Sequence, residues 1–250
     1  MRPLILISND DGVTAKGINF LIDTLRGWAD LFVVAPDGPR SGGSCAITST
    51  VPLRYTRLSS EPGLTVYSCT GTPVDCVKVA MNELMDRKPD LVLGGINHGD
   101  NSAVNAHYSG TMGVCYEGAM QGIPSVAFSL DDHSSNANFE PLAQAVEVIT
   151  RRVLQDGLPL FTCLNVNFPK ASTFKGIKVC RMAKSRWVKE THACEHPTTG
   201  RPYVWLVGNR ENLEPTEVDT DIWAMEHGYV AVTPVTLDCT HYGLFESLKF

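Results

Sequence analysis

Two aspartates stand side by side at Asp10 and Asp11, between Asn9 and Gly12. Adjacent carboxylates repel each other unless a cation or a proton relieves them. The residues just ahead, Leu4-Ile5-Leu6-Ile7, form a continuous apolar run with a polar loop behind it, the pattern of a buried parallel strand. At such a strand end a hard divalent cation is the natural partner of the pair, although Asp and Gly also make ordinary turns and caps. Ser41 and Asn97 follow two further apolar runs. With Asp10 and Asp11 they form an oxygen-only set, which suits Mg²⁺ or Mn²⁺ better than zinc. A second signal is Tyr108-Ser109-Gly110-Thr111, just before a helical pattern. Small hydroxyl residues at a helix start leave backbone amides free for a phosphate; an N-cap would look the same. Gly71-Thr72-Pro73 reads as a cap before its own helix.

These residues need a frame that brings them together. Ile18, Leu21, Ile22 and Leu25 fall at helical spacing after the first strand, and residues 31–35 form the next strand, stopped by Pro36. Residues 46–70 hold two strand-like pieces broken at 59–63. Pro73 opens a helix with Val74, Val77, Ala80, Met81 and Leu84 on one stripe. Leu91-Val92-Leu93 is a third buried strand, expected to end at Gly94-Gly95 and to be followed by a long polar loop, 97–109. A helix over 111–121, a strand at 126–128, an amphipathic helix over 138–155 and a strand at 162–166 complete the series. This repetition predicts an α/β fold: a mostly parallel sheet with helices on both faces. Ligands in such sheets bind beyond the carboxyl ends of the strands. Parallel strands would therefore gather residues 8–12, 36–44 and 94–101 on one edge. After about residue 170 the runs shorten (176–182, 186–193, 203–207, 229–233), with one helix near 219–227. The reading is a core over 1–170 and a C-terminal extension over 171–250, rich in β-hairpins and packed on that core.

Several classes are excluded. Lys+Arg 21 against Asp+Glu 27 gives a net charge of −6, without the broad basic face of a protein that binds duplex nucleic acid. No apolar stretch approaches membrane-span length, and residues 4–8 are too short for a signal-peptide core, so a cytoplasmic protein is expected. The eight cysteines include no C-x-x-C pair and read as free thiols. His192, Cys194 and His196 would share one face of an extended strand, but no fourth ligand is evident, and a solvated strand is the plainer reading. The dinucleotide, P-loop and nucleophile-elbow signatures are missing. A receiver domain would need an Asp at the end of its middle strand, whereas Asp90 starts one.

Taken in order, Ser8-Asn9-Asp10-Asp11-Gly12, Arg40-Ser41-Gly42, Gly71-Thr72-Pro73-Val74-Asp75-Cys76, Gly95-Ile96-Asn97-His98-Gly99-Asp100-Asn101 and Ser109-Gly110-Thr111 resemble the SurE survival-protein nucleotidases. Asn165-Val166-Asn167-Phe168-Pro169, Thr220-Asp221, Gly228-Tyr229-Val230 and Thr233-Pro234 extend the resemblance over nearly the whole chain, with only a loose match from about 170 to 218. The resemblance implies a Rossmann-like core and a C-terminal extension used to form a homodimer or homotetramer. It implies a metal-dependent phosphatase acting on nucleoside 5′-monophosphates, with 3′-monophosphates a further substrate class. It places one Mg²⁺ or Mn²⁺ per subunit on Asp10, Asp11, Ser41 and Asn97, with Asp10 and Asp11 the catalytic pair. It makes Asn9, Asn97, Ser109, Gly110 and Thr111 the phosphate contacts. A cation there would polarise a phosphoryl oxygen, and a carboxylate would either direct a water or attack phosphorus itself. Two alternatives stay open at this level: a non-catalytic nucleotide-binding module and a metal-dependent hydrolase of another ester class.

Overall fold

The computed structural model describes residues 2–249. The first strand, β1 (Leu4–Ser8), is followed by α1 (Lys16–Leu25), β2 (Asp30–Pro36), β3 (Tyr55–Glu61), β4 (Leu64–Cys69) and α2 (Pro73–Val79), which continues through one π turn at Ala80–Leu84. Next come β5 (Leu91–His98), a 3-10 turn (Ala103–His107), α3 (Gly110–Met120), β6 (Ser125–Leu130), α4 (Ala143–Asp156) and β7 (Thr162–Phe168). The C-terminal third holds β8 (Ile177–Val179), β9 (Ser185–Val188), β10 (Thr191–Glu195), β11 (Pro202–Leu206), β12 (Asn209–Asn212), α5 (Asp221–Glu226), β13 (Val230–Thr236) and α6 (Tyr242–Ser247).

Nine strands form one sheet in the order β3-β4-β2-β1-β5-β6-β7-β13-β8. Only β3 on β4 and β13 on β7 are antiparallel. Strand residues alternate between faces, and the apolar clusters show where each face goes. Ile5 and Ile7 of β1, with Leu91 and Leu93 of β5, pack with Ile18 and Leu21 of α1 and Val146 and Val153 of α4. Leu6 and Val92, one residue out of phase, pack with Cys76 and Val77 of α2 and Val114 of α3. Helices therefore cover both faces. Ile5, Leu6 and Ile7 are fully buried, each contributing about 1.5–3 kcal/mol of apolar transfer.

The structure departs from the sequence reading in three places. β5 does not stop at Gly94-Gly95: its register with β6 shifts between Gly94 and Asn97, and pairing then resumes to His98. Gly95 has φ +117°, and a Cβ there would lie 2.3 Å from the Phe128 carbonyl oxygen, so only glycine fits the bulge. The strand-like run at 186–193 is two strands, because Lys189 takes φ +55° and turns the chain between them. In the C-terminal third, β8 and β13 extend the main sheet, whereas β9–β12 and β10–β11 stand outside it as two-stranded hairpins.

Candidate functional site

The strand order reverses between β1 and β5: β2 and β4 lie on one side of β1, and β5, β6 and β7 on the other. β1 runs parallel to both β2 and β5, so the loops after these three strands share one sheet edge, with the crevice at the switch point. Asp10 and Asp11 leave β1 on one side of that crevice and Asn97 closes β5 on the other.

Asn9, expected to touch phosphate, also shapes the turn after β1. It is fully buried, its Nδ2 donates to the Gly12 carbonyl at 3.0 Å and its Oδ1 accepts the Gly12 N–H at 3.2 Å. Both polar atoms bond within the turn that presents the aspartates, and the second Nδ2 hydrogen is left for another acceptor. Asp10 is nearly buried and meets the start of α3. The Thr111 hydroxyl donates to its Oδ1 at 2.5 Å, and the Gly110 backbone beside the carboxylate favours its charged form. Gly110 is required by the closeness of this approach: a Cβ there would lie 2.8 Å from the Asp10 Cβ. Thr111 and Gly110 thus hold Asp10 rather than standing only as phosphate contacts. Ser109 caps α3, its Oγ accepting the Met112 N–H at 3.0 Å, worth about 1 kcal/mol, and it also lines the cleft. The cap reading of Thr72 holds as well: its hydroxyl accepts the Asp75 N–H while Asp75 accepts the Thr72 N–H, a closed capping box.

Asp11 accepts the His98 N–H on Oδ2 at 3.1 Å. Burial pushes the Asp10 carboxyl up to about 6; the Thr111 hydrogen bond opposes that rise and the Asp11 charge adds to it. The Asp11 carboxyl is also raised, by burial first, against the His98 N–H and the His98 and His133 rings. No Lys or Arg acts on either carboxylate among the described residues. Asn97 donates from Nδ2 to the Gly99 carbonyl at 2.8 Å, which turns its Oδ1 into the acceptor it can offer a ligand. Ser41 is exposed on the loop after β2 and lines the same cleft. Two close, desolvated carboxylates without a Lys or Arg partner, beside hydroxyl and amide oxygens, fit a hard divalent cation. Among the described residues no group of three or more His, Cys, Asp or Glu converges on a metal position, so His192, Cys194 and His196 make no such centre.

The cleft holds about 750 Å³ and is lined by Asp10, Ser41, Asn97, Asp100, Tyr108 and Ser109, with a far wall from the hairpins. That wall includes Trp187, Glu190 and Leu206, and His133 from the loop after β6. The sequence reading missed these four; no local pattern marks residues that arrive from separate loops. Beneath the cleft a buried amide network fixes the loop after β5. Asn167 Oδ1 accepts the Asn101 N–H at 2.7 Å, Asn165 Nδ2 donates to the Asn101 carbonyl at 2.8 Å, and Asn167 Nδ2 donates to Asn165 Oδ1 at 2.8 Å. A second cavity, about 930 Å³, lies at the opposite end of the strands near Arg2, Arg87 and Arg151. Its guanidiniums are already matched by Asp30, Asp90 and Glu147.

A family model described as Survival protein SurE matches residues 5–189. A protein of Phocaeicola vulgatus named 5′-nucleotidase SurE is 54% identical over 248 residues, covering 99% of this chain and 96% of that relative. A Bacteroides thetaiotaomicron protein of the same name is 52% identical, covering 99% and 95%. Among solved structures, the crystal structure of the SurE protein from Aquifex aeolicus superposes with a TM-score of 0.84 at 39% identity, covering 99% of this chain and 98% of that one.

Proposed function

The chain belongs to the SurE family, and on that premise we propose that it is a 5′-nucleotidase, a phosphoric monoester hydrolase that releases phosphate from nucleoside monophosphates in the cleft at the β1–β5 switch point. One observation carries the chemistry: Asp10 is bonded by Thr111 and packed against Gly110 at the start of α3, beside Asp11, with no Lys or Arg partner among the described residues. A bare pair of that kind would repel a phosphate, which favours a catalytic cation site over a simple nucleotide-binding module.

Asp10, Asp11, Ser41 and Asn97 would hold one Mg²⁺ or Mn²⁺ per subunit, which when bound supplies Lewis acidity at the phosphoryl oxygens. The chain's own groups do the rest. Thr111 and Gly110 fix one side of Asp10, so the carboxylate that reaches the cleft keeps a defined orientation. That carboxylate directs the attacking water or takes its proton, with Asp11 beside it as the second charged group. Ser109 and Asn97 line the cleft where the phosphate sits. The walls from Tyr108, Trp187 and Leu206 leave room for a nucleoside beyond the phosphate.

No helix of the described residues is long and apolar enough to cross a membrane, and we place the enzyme in the cytoplasm. Its partners are further copies of itself. Val204, Trp205 and Leu206 on β11 and Leu244 and Phe245 on α6 are exposed, and apolar groups so concentrated in one third of the chain favour a homodimer or homotetramer.

The test is phosphate release from a panel of nucleoside 5′- and 3′-monophosphates, a simple phosphate monoester and a carboxylic ester, with Mn²⁺ and with chelator. Turnover confined to the nucleotides with metal supports the reading. Hydrolysis of the carboxylic ester alone moves the chain to another ester class. Nucleotide binding without turnover makes it a binding module.

A further inference from the structure

Arg210 lies on β12, opposite Trp187 of β9, and is separated from the loop after β5 by more than a hundred residues of chain. Its Nη1 donates to Asp100 Oδ2 at 2.6 Å, to Ser102 Oγ at 2.9 Å and to the Ser102 carbonyl at 3.3 Å. The Ser102 hydroxyl and N–H also donate to Asp100 Oδ2. Two other contacts join the same hairpin to the same loop: Trp187 Nε1 donates to Asn105 Oδ1 at 3.0 Å, and Ser185 Oγ accepts the Val104 N–H at 3.2 Å. Asp100 lines the cleft that holds Asp10, Asn97 and Ser109. Its side chain is 10% exposed and that of Arg210 23%, so water screens the pair poorly. Asp131 stands nearby: its carboxyl is raised by burial first and then by the Asp100 charge, with Arg210 and His133 opposing.

The chemistry of the substrate gives this arrangement its meaning. A phosphate monoester arrives as an anion, and a third carboxylate on the cleft wall would repel it. Asp10 and Asp11 have a cation to offset them in the proposed reaction; Asp100 has Arg210. We propose that Arg210 is a positioning residue for the phosphoester reaction, acting through Asp100: it cancels the charge of that carboxylate on the cleft wall and pins the loop bearing it to the β9–β12 hairpin. The inference rests on the nucleotidase reading of the cleft and adds a named electrostatic partner from the extension.

The test is steady-state hydrolysis of AMP at saturating Mn²⁺ by the full-length wild type, R210M, R210K, D100N and R210M/D100N. R210M is expected to raise KM about tenfold, with kcat within about twofold, since the uncancelled charge opposes substrate entry. R210K should fall between wild type and R210M, keeping the charge without the planar fork. In R210M/D100N, where neither charge is left, KM should return to within about twofold of wild type. Raising the salt to about 1 M should shrink the R210M defect, because the Debye length falls to about 3 Å; a purely structural defect would not respond. D100N alone should lower KM two- to threefold, which decides the matter even if R210M fails to fold. An unchanged KM in R210M, a double variant as impaired as R210M, or a raised KM in D100N overturns the proposal. If the wild type hydrolyses no nucleoside monophosphate of the panel, the nucleotidase reading fails by itself. The Arg210 proposal is then judged by inorganic phosphate binding in calorimetry, where the same order of variants is expected and its absence is fatal.

Discussion

The Thr111 hydroxyl donates to Asp10 Oδ1 at 2.5 Å across 101 residues of chain. That single bond ties the first strand's exit loop to the first turn of α3, and so couples the two motifs most prominent in the sequence. Thr111 is wholly buried, so the bond works in a site that water reaches poorly.

Replacing Thr111 with Val keeps the shape and removes the donor. We expect kcat/KM for AMP to fall about 10- to 100-fold, as a hydrogen bond to a charged group is worth about 1.5–3 kcal/mol, while Thr111→Ser retains most activity. Wild-type kinetics in Thr111→Val would show that Asp10 does not need this bond.

The amide network makes a stability prediction. Asn165→Leu strands the Asn101 carbonyl and the Asn167 Nδ2, both buried. It should destabilise the fold by about 2–4 kcal/mol, from roughly 1–3 kcal/mol per orphaned group. Thermal unfolding reads this as a clear drop in Tm; an unchanged Tm would mean the loop is held by other contacts.

Acid stability should carry the mark of Glu214. Its carboxyl is pulled down to about 2, first by the Lys184 N–H and then by Arg181 and the Lys184 side chain. A depressed folded-state value stabilises the fold at pH above the unfolded value, 4.5, and that contribution is lost as pH falls towards 2. Glu214→Gln should therefore be less stable than wild type at pH 7, with the gap closing between about pH 4.5 and 2. A gap that stays constant through that window would remove Glu214 from the account.

Self-association should depend on the exposed apolar side chains of the C-terminal third. Light scattering on the intact chain is expected to give a multimer mass, and W205E/F245E a smaller one. A monomer mass for the wild type at working concentration ends the idea.

What the sequence made legible was local. Leu4–Ile7 and Asp10–Asp11 could be read because a buried strand and its exit loop are adjacent in the chain. The helix over 111–121 and its cap could be read for the same reason. What was not legible depends on partners far away. Gly94-Gly95 looked like a strand end, yet pairing with β6 carries β5 through a bulge to His98. Asn9 stood out as a ligand contact, and its second role, bonding Gly12 through both polar atoms to shape the turn, was not legible. The strand-like run at 229–233 was visible, but nothing in it announces antiparallel pairing with β7. Arg210 and Trp187 carry no motif; only the path of the chain from β9 to β12 brings Trp187 to the cleft and Arg210 to Asp100 on its wall.

The central claim is that Asp10 and Asp11 serve a cation without which phosphate is not released. The most direct measurement is phosphate release from AMP by chelator-treated wild type and Asp10→Asn, each titrated with Mn²⁺ while Tm is followed in parallel. The account predicts no release without metal, full recovery of the wild type on adding Mn²⁺ together with a rise in Tm, and neither effect in Asp10→Asn, which stays folded. Undiminished release by the metal-free wild type, or recovery of Asp10→Asn at ordinary Mn²⁺, would contradict it.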